Sequence, residues 1–218
     1  MRAAMALGAA LCGLLGGVAG VAPALDPWVV QDDARQHIAW MLAWSAPAAF
    51  DGDPVTGYFR ALAPDGFVAL YRLLDVAGLS PLVAAKTLPV FLSMATAWLL
   101  YRFAGRLGFT PIAAFCAATV LTVTLWFGDD LSGGTPRAFA PLLLIGALER
   151  KLAGDLRGTV IWLGLGAAIY PQAAMLAGGA IGLYGALQAW ETRRAAPLLR
   201  AAAIALGVAG ALALLHVM

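Results

Sequence analysis

Apolar residues run along this chain in long blocks broken by short polar punctuation, a rhythm that predicts helices throughout. Residues 3–24, 81–103, 111–127, 137–150 and 197–217 each form one such block. A membrane-crossing helix needs about 20 mainly apolar residues, because every backbone group inside the hydrocarbon must be bonded within the helix. The blocks therefore read as candidate spans. Residues 159–190 are apolar throughout but too long for one untilted helix, and Tyr170-Pro171-Gln172 interrupts them near the middle. Pro171 removes a backbone donor and biases Tyr170 away from helical angles, so the pattern predicts a broken hairpin turning there.

The polar punctuation has its own order. Residues 25–78 form the longest polar-containing stretch, opening with Gln31-Asp32-Asp33-Ala34-Arg35-Gln36-His37. Beyond Ala34, Ile38, Met41, Leu42 and Ser45 share one side at helical spacing, with Asp33, His37, Trp40 and Trp44 on an adjacent stripe. Short helices lying along a membrane surface are expected, with Trp28, Trp40 and Trp44 at the interface. The turn residues of Phe50-Asp51-Gly52-Asp53-Pro54 mark a loop, and a second docked helix is expected over Gly66–Val76. A second polar loop runs from Gly128 to Arg137. In it Thr135-Pro136 reads as a helix start, and the glycines ahead of it leave N–H groups that an anion could use beside Arg137. The plain alternative is a tight capped turn with solvated aspartates.

Composition sharpens this picture. Apolar residues make up 62% and charged residues 12%, against about 45–50% and about 25% in soluble domains. A disordered tail, a disulfide-rich module and a basic nucleic-acid binder are excluded, and a net charge of +2 calls for no polyanionic partner. Cys12 and Cys116 lie inside apolar blocks and behave as small hydrophobes. The fold expected is all-α: a polytopic transmembrane helix bundle, one domain over residues 1–218, with amphipathic surface helices in the first extracytoplasmic loop. Arg2, Arg102, Arg106, Arg150, Lys151, Arg157, Arg193, Arg194 and Arg200 all fall on one side of such a bundle, which by the positive-inside rule is cytoplasmic. Asp26 to Asp75, Asp129 and Asp130 then face out, and the expected location is a bacterial inner membrane as a multi-pass protein. The first block also reads as a cleavable signal peptide ending at Ala22-Pro23-Ala24, which would leave Asp32-Asp33 on the same side.

One span, a loop with paired acids at Asp32-Asp33, surface helices rich in Trp and Tyr, then clustered spans with Asp129-Asp130 in the next loop: this order resembles the N-terminal part of the GT-C superfamily of membrane glycosyltransferases, which includes protein O-mannosyltransferases and aminoarabinose transferases. The resemblance implies transfer of a sugar from a polyprenyl-phosphate donor to an extracytoplasmic acceptor, in contact with the lipid bilayer and without nucleic acid. It implies a catalytic acid at Asp32 or Asp33. Asp33 is preferred, being one helical turn from His37 and on the Trp40 side. Arg137, with Arg35 or Lys86 in reserve, would neutralise the donor phosphate, and His37, Asp129 and Asp130 would complete the substrate site. No cofactor is required; a divalent metal is compatible but not implied, since the first-loop core has no Asp-x-Asp. GT-C enzymes carry more helices, so the chain reads as the N-terminal fragment of a longer protein.

Bland readings stand beside these roles. Asp32 and Asp33 could only cap a surface helix, Arg35 could pair with lipid phosphate, His37 could be solvated, and Lys86 could snorkel toward Ser80. The alternative functions are a transporter component, for which broken helices and intramembrane charge are typical, and a non-catalytic scaffold. The scaffold reading leans on small residues such as Gly178, Gly179 and Gly182 for close helix packing.

Overall fold

The computed structural model describes residues 2–26, 28–197, 199, 201–205, 207 and 208. These are helical with irregular connections, and no strand occurs among them. The helices are α1 (Arg2–Val21), α2 (Asp32–His37), α3 (Pro54–Leu62), α4 (Asp65–Val76), α5 (Pro81–Arg106), α6 (Pro111–Phe127), α7 (Ala140–Leu152), α8 (Leu156–Ile169) and α9 (Pro171–Thr192). Their starts follow local chemistry. Proline occupies the first turn of α3, α5, α6 and α9, where its missing N–H costs nothing. Side chains of Gln31, Asp53, Thr110 and Asp155 accept the first free N–H groups of α2, α3, α6 and α8. At Asp155 the bond from the Gly158 N–H, with help from Arg150, holds the carboxyl below its usual range.

The chain divides into two compact units, Met1–Phe139 and Ala140–Met218. In the first, α1, α5 and α6 pack together around Ala9, Tyr101, Ala104, Ala114 and Ala118. Contact between α1 and α5 depends on two glycines one turn apart. A Cβ on Gly13 would lie 2.7 Å from the Ser93 carbonyl oxygen, and one on Gly17 would lie 2.9 Å from the Val90 Cα. Backbone thus meets backbone. Two polar side chains tie the same three helices: Trp126 Nε1 of α6 donates to Ser93 Oγ of α5 at 3.0 Å, and Ser93 Oγ donates to the Gly13 carbonyl of α1 at 2.7 Å. Residues 22–26, 28–80 and 128–139 gather at the end of this bundle where α1 and α6 finish and α5 begins, with α4 and the 128–139 loop against α5. In the second unit α7, α8 and α9 pack pairwise around Ala147, Leu163, Ala177, Ile181 and Ile204. Gly146 of α7 there carries the Trp162 ring, since a Cβ would come within 2.5 Å of it.

All-α is what the chain adopts; a polytopic bundle of six spans is not. Two helices, Ala3–Val21 and Pro81–Arg106, are long and apolar enough to cross a membrane among the described residues. Helix α6 has 17 residues, α7 has 13 and α8 has 14, or about 26, 20 and 21 Å at 1.5 Å per residue. Each falls short of the roughly 30 Å hydrocarbon core. Helix α9 is long enough, but Gln172, Tyr184, Gln188 and its glycines dilute its apolar character. Of the most apolar stretch of Pro81–Arg106, 44% is buried within the protein itself. The multi-pass, inner-membrane placement and the bilayer as a general partner are corrected accordingly. The expected span over 197–217 falls largely outside the described residues. Gly178, Gly179 and Gly182 face open space, so the close packing expected of them occurs at Gly13 and Gly17 instead.

Candidate functional site

A cavity of 220 Å³ opens at the capped end of the first unit. Gly20 and Val21 supply its α1 side, Leu82, Ala85, Lys86 and Pro89 its α5 side, and Trp126 its α6 side; Gln31, Ala34, Asp129 and Gly133 roof it. The wall is mainly apolar for sequence reasons. Pro89 sits inside α5 and offers no N–H to the Ala85 carbonyl, one turn earlier. That carbonyl faces Gly134, which adopts φ +59°; a Cβ there would be 3.1 Å from the Ala85 oxygen and 2.7 Å from the Tyr71 hydroxyl. Glycine is what lets this loop lie directly on the helix.

The roof is held by side chains reaching between the two polar loops. Gln31 Nε2 donates to Asp129 Oδ2 at 3.0 Å while Gln31 Oε1 accepts from the Ala34 N–H at 2.9 Å. Ser132 Oγ donates to Asp129 Oδ1. Asp129 itself has φ +60°, a left-handed conformation that aspartate tolerates better than most residues. Tyr71 of α4 donates its hydroxyl to the Gly134 carbonyl at 2.8 Å from a buried position, and that burial raises its phenol above the usual range, keeping it a neutral donor. Arg137 Nη2 bonds Asp33 Oδ2 at 2.7 Å.

Of the site residues expected from sequence, Asp33 meets Arg137, and Lys86 and Asp129 share the cavity wall. Asp33 and Arg137 form an ion pair with side chains 34% and 49% exposed. Asp32 is exposed on the first turn of α2. Arg35 is exposed and donates from Nε to the Val30 carbonyl at 3.2 Å. His37 meets the edge of Phe59, with ring centroids 5.4 Å apart. Asp130 is half-buried beside Gly128 and outside the cavity. Lys86 and Asp129 line the cavity, and the Lys86 ammonium donates to the Asp26 carbonyl at 2.7 Å. The single α-helix expected through Asp33, His37, Trp40 and Trp44 breaks at Ile38, after which residues 39–44 form a 3-10 segment that buries Trp40 and Met41. Sequence reading missed Gln31, Tyr71, Trp126 and Pro89. Of these only Pro89, an imino acid inside an apolar block, carried a visible signal.

No family model, no curated protein and no solved structure matches this chain. The GT-C resemblance is corrected on that finding, since an order of spans and acids with no match to any family or fold carries no membership. Sugar transfer, the enzyme class and the polyprenyl-phosphate-sugar donor go with it. Among the described residues two helices, not six, are long and apolar enough to cross a membrane, and Arg137 is paired with Asp33. Among the described residues no three His, Cys, Asp or Glu side chains are grouped so as to hold a metal ion.

Proposed function

We propose that the Met1–Phe139 unit is a binding module for a small apolar carboxylate, whose body fills the cavity and whose head group meets Lys86. The cavity carries this reading: 220 Å³ of mainly apolar space with one ammonium in its wall. A dry cavity of about 150 Å³ accepts benzene, so this one has room for a ring and a short chain. Apolar walls with a few placed polar groups are the usual form of a ligand pocket. The charges favour an acid over a base. Asp129 already accepts from Gln31 and Ser132, whereas the Lys86 ammonium has three N–H groups and gives one to the Asp26 carbonyl. Asp129 and Gln31 serve as roof supports in this reading, and the Asp33–Arg137 pair as a tie between the roof's two loops.

The test is calorimetric titration of the full chain with 3-phenylpropanoate and with 3-phenylpropanol, which differ in the head group. A hydrogen bond to a charged group is worth about 1.5–3 kcal/mol, so the acid should bind at least about tenfold tighter than the alcohol. Lys86→Met should erase that preference while leaving the alcohol's affinity unchanged. Equal binding of acid and alcohol to the unaltered protein, or saturation by neither, would rule the proposal out.

A further inference from the structure

A second cleft, of 250 Å³, lies on the outer surface of the same unit, between the 3-10 segment 39–44 and α3. Its wall holds Trp40, Trp44 and Phe50, with Asp51, Thr56 and Arg60 around them. We propose that this cleft binds a small zwitterion bearing a quaternary ammonium group, with the ammonium against Trp44 and Asp51 and the ligand's anion on Arg60.

The aromatic part is a built corner. Trp40 and Trp44 meet edge to face, with centroids 6.0 Å apart and planes at 80°. Trp40 is 4% exposed and its indole N–H donates to the His37 carbonyl at 2.9 Å, which fixes its ring. Trp40 is too buried to offer a face and braces the half-buried Trp44, whose ring is the surface for a rounded, weakly hydrated cation, tryptophan being the best ring for such a contact. Trp44 already acts as a cation platform in this fold: the Arg72 guanidinium, which does not line the cleft, lies 5.1 Å from its ring centroid.

The charged part selects a zwitterion over a simple cation. Asp51 and Arg60 are both exposed and both line the cleft, and neither side chain is engaged in a bond or ion pair with another described residue. Their neighbours are occupied. Asp53 caps α3 through Val55 and Thr56, and the Thr56 hydroxyl donates to Asp53 Oδ2 at 2.7 Å. Because that cap fixes the first turn of α3, Arg60, one turn beyond Thr56, leaves the helix from a set position. An opposite pair of open charges flanking an aromatic corner matches a ligand that carries both signs.

Titration of the full chain with glycine betaine, glycine and choline, followed by NMR of the tryptophan indole N–H resonances, tests this. Glycine betaine should perturb the Trp40 and Trp44 signals saturably, and glycine, with the same charges but no methyl groups, should bind about tenfold or more weakly. Arg60→Gln should weaken betaine about tenfold while leaving choline unchanged, and Asp51→Asn should weaken both. These positions are exposed, so the variants keep the fold, and the Trp44 signal reports that directly. Lys86→Met should have no effect, which separates this cleft from the cavity beneath the roof. Glycine binding as well as betaine, or an Arg60→Gln variant that binds betaine normally, overturns the assignment.

Discussion

Removing the Ser93 hydroxyl by Ser93→Ala should cost the first unit about 2 kcal/mol, and the geometry shows where the loss arises. Ser93 is fully buried and its hydroxyl serves two helices at once, receiving the Trp126 N–H at 3.0 Å and donating to the Gly13 carbonyl at 2.7 Å. The two losses are unequal. Gly13 lies inside α1, where its carbonyl also accepts the N–H four residues on, so it keeps a partner. The indole N–H of Trp126, a donor only on a half-buried ring, loses its side-chain acceptor, and an unsatisfied donor costs about 1–3 kcal/mol. Loss of one oxygen's packing adds little, since the cavity left is smaller than a methyl group. At roughly 2–4 °C per kcal/mol for a chain of this size, the midpoint of thermal unfolding should fall by about 4–8 °C. The assay is thermal unfolding of Ser93→Ala, Trp126→Phe and the double variant. Trp126→Phe removes the donor with the hydroxyl still in place, so the double variant should be less destabilised than the sum of the singles, by about 1 kcal/mol. Because Trp126 also walls the cavity, Ser93→Ala should loosen carboxylate binding as well. Strict additivity, or a Ser93→Ala midpoint within a degree of the unaltered protein, would refute the idea that this relay joins α1, α5 and α6.

Two further outcomes follow from the roof and the α3 cap. Tyr71→Phe leaves the buried Gly134 carbonyl without its donor and should destabilise the first unit by about 1–3 kcal/mol in denaturant titration, with an increase in hydrogen exchange across residues 131–135. The Asp53 carboxyl is held below its ordinary value of 3.8, chiefly by the Thr56 hydroxyl and amide, so its contribution is present above that value and is lost as pH falls through the depressed folded value. The Thr56 amide resonance should therefore titrate in acid. Asp53→Asn should keep the cap and abolish the titration, whereas Asp53→Ala should fray the first turn of α3 at every pH.

Helix content was legible because it rests on local rules. Pro171 ends α8 at Ile169 and opens α9, and Pro54, Pro81 and Pro111 mark other starts as plainly. The number of membrane-crossing helices was misread because hydropathy reports how apolar a block is and not how long its helix runs. Residues 111–127 are apolar enough, yet α6 is too short, and much of α5 spends its apolar surface on protein. The candidate site was legible only as a list of charges. Asp33 and Arg137 are 104 positions apart, and Gln31 and Asp129 are 98 apart, so no local periodicity could show that these side chains pair. The cavity was hidden for a related reason, since Gly20, Lys86, Trp126 and Gly133 come from separate segments and none carries a motif. Gly13 and Gly17 did carry one, a pair of small residues one turn apart, whereas the glycines singled out instead face open space.

Pro89 has a mechanical side. It leaves α5 one rung short of a full ladder, between the turn that carries Lys86 and the longer stretch running to Arg106. The longer stretch is clamped by α1 and α6. The turn that carries Lys86 is held from outside the helix instead, with Ala84 and Ala85 buried and the Gly134 loop lying on it, so the ammonium is placed by its neighbours where the helix's own ladder has a gap.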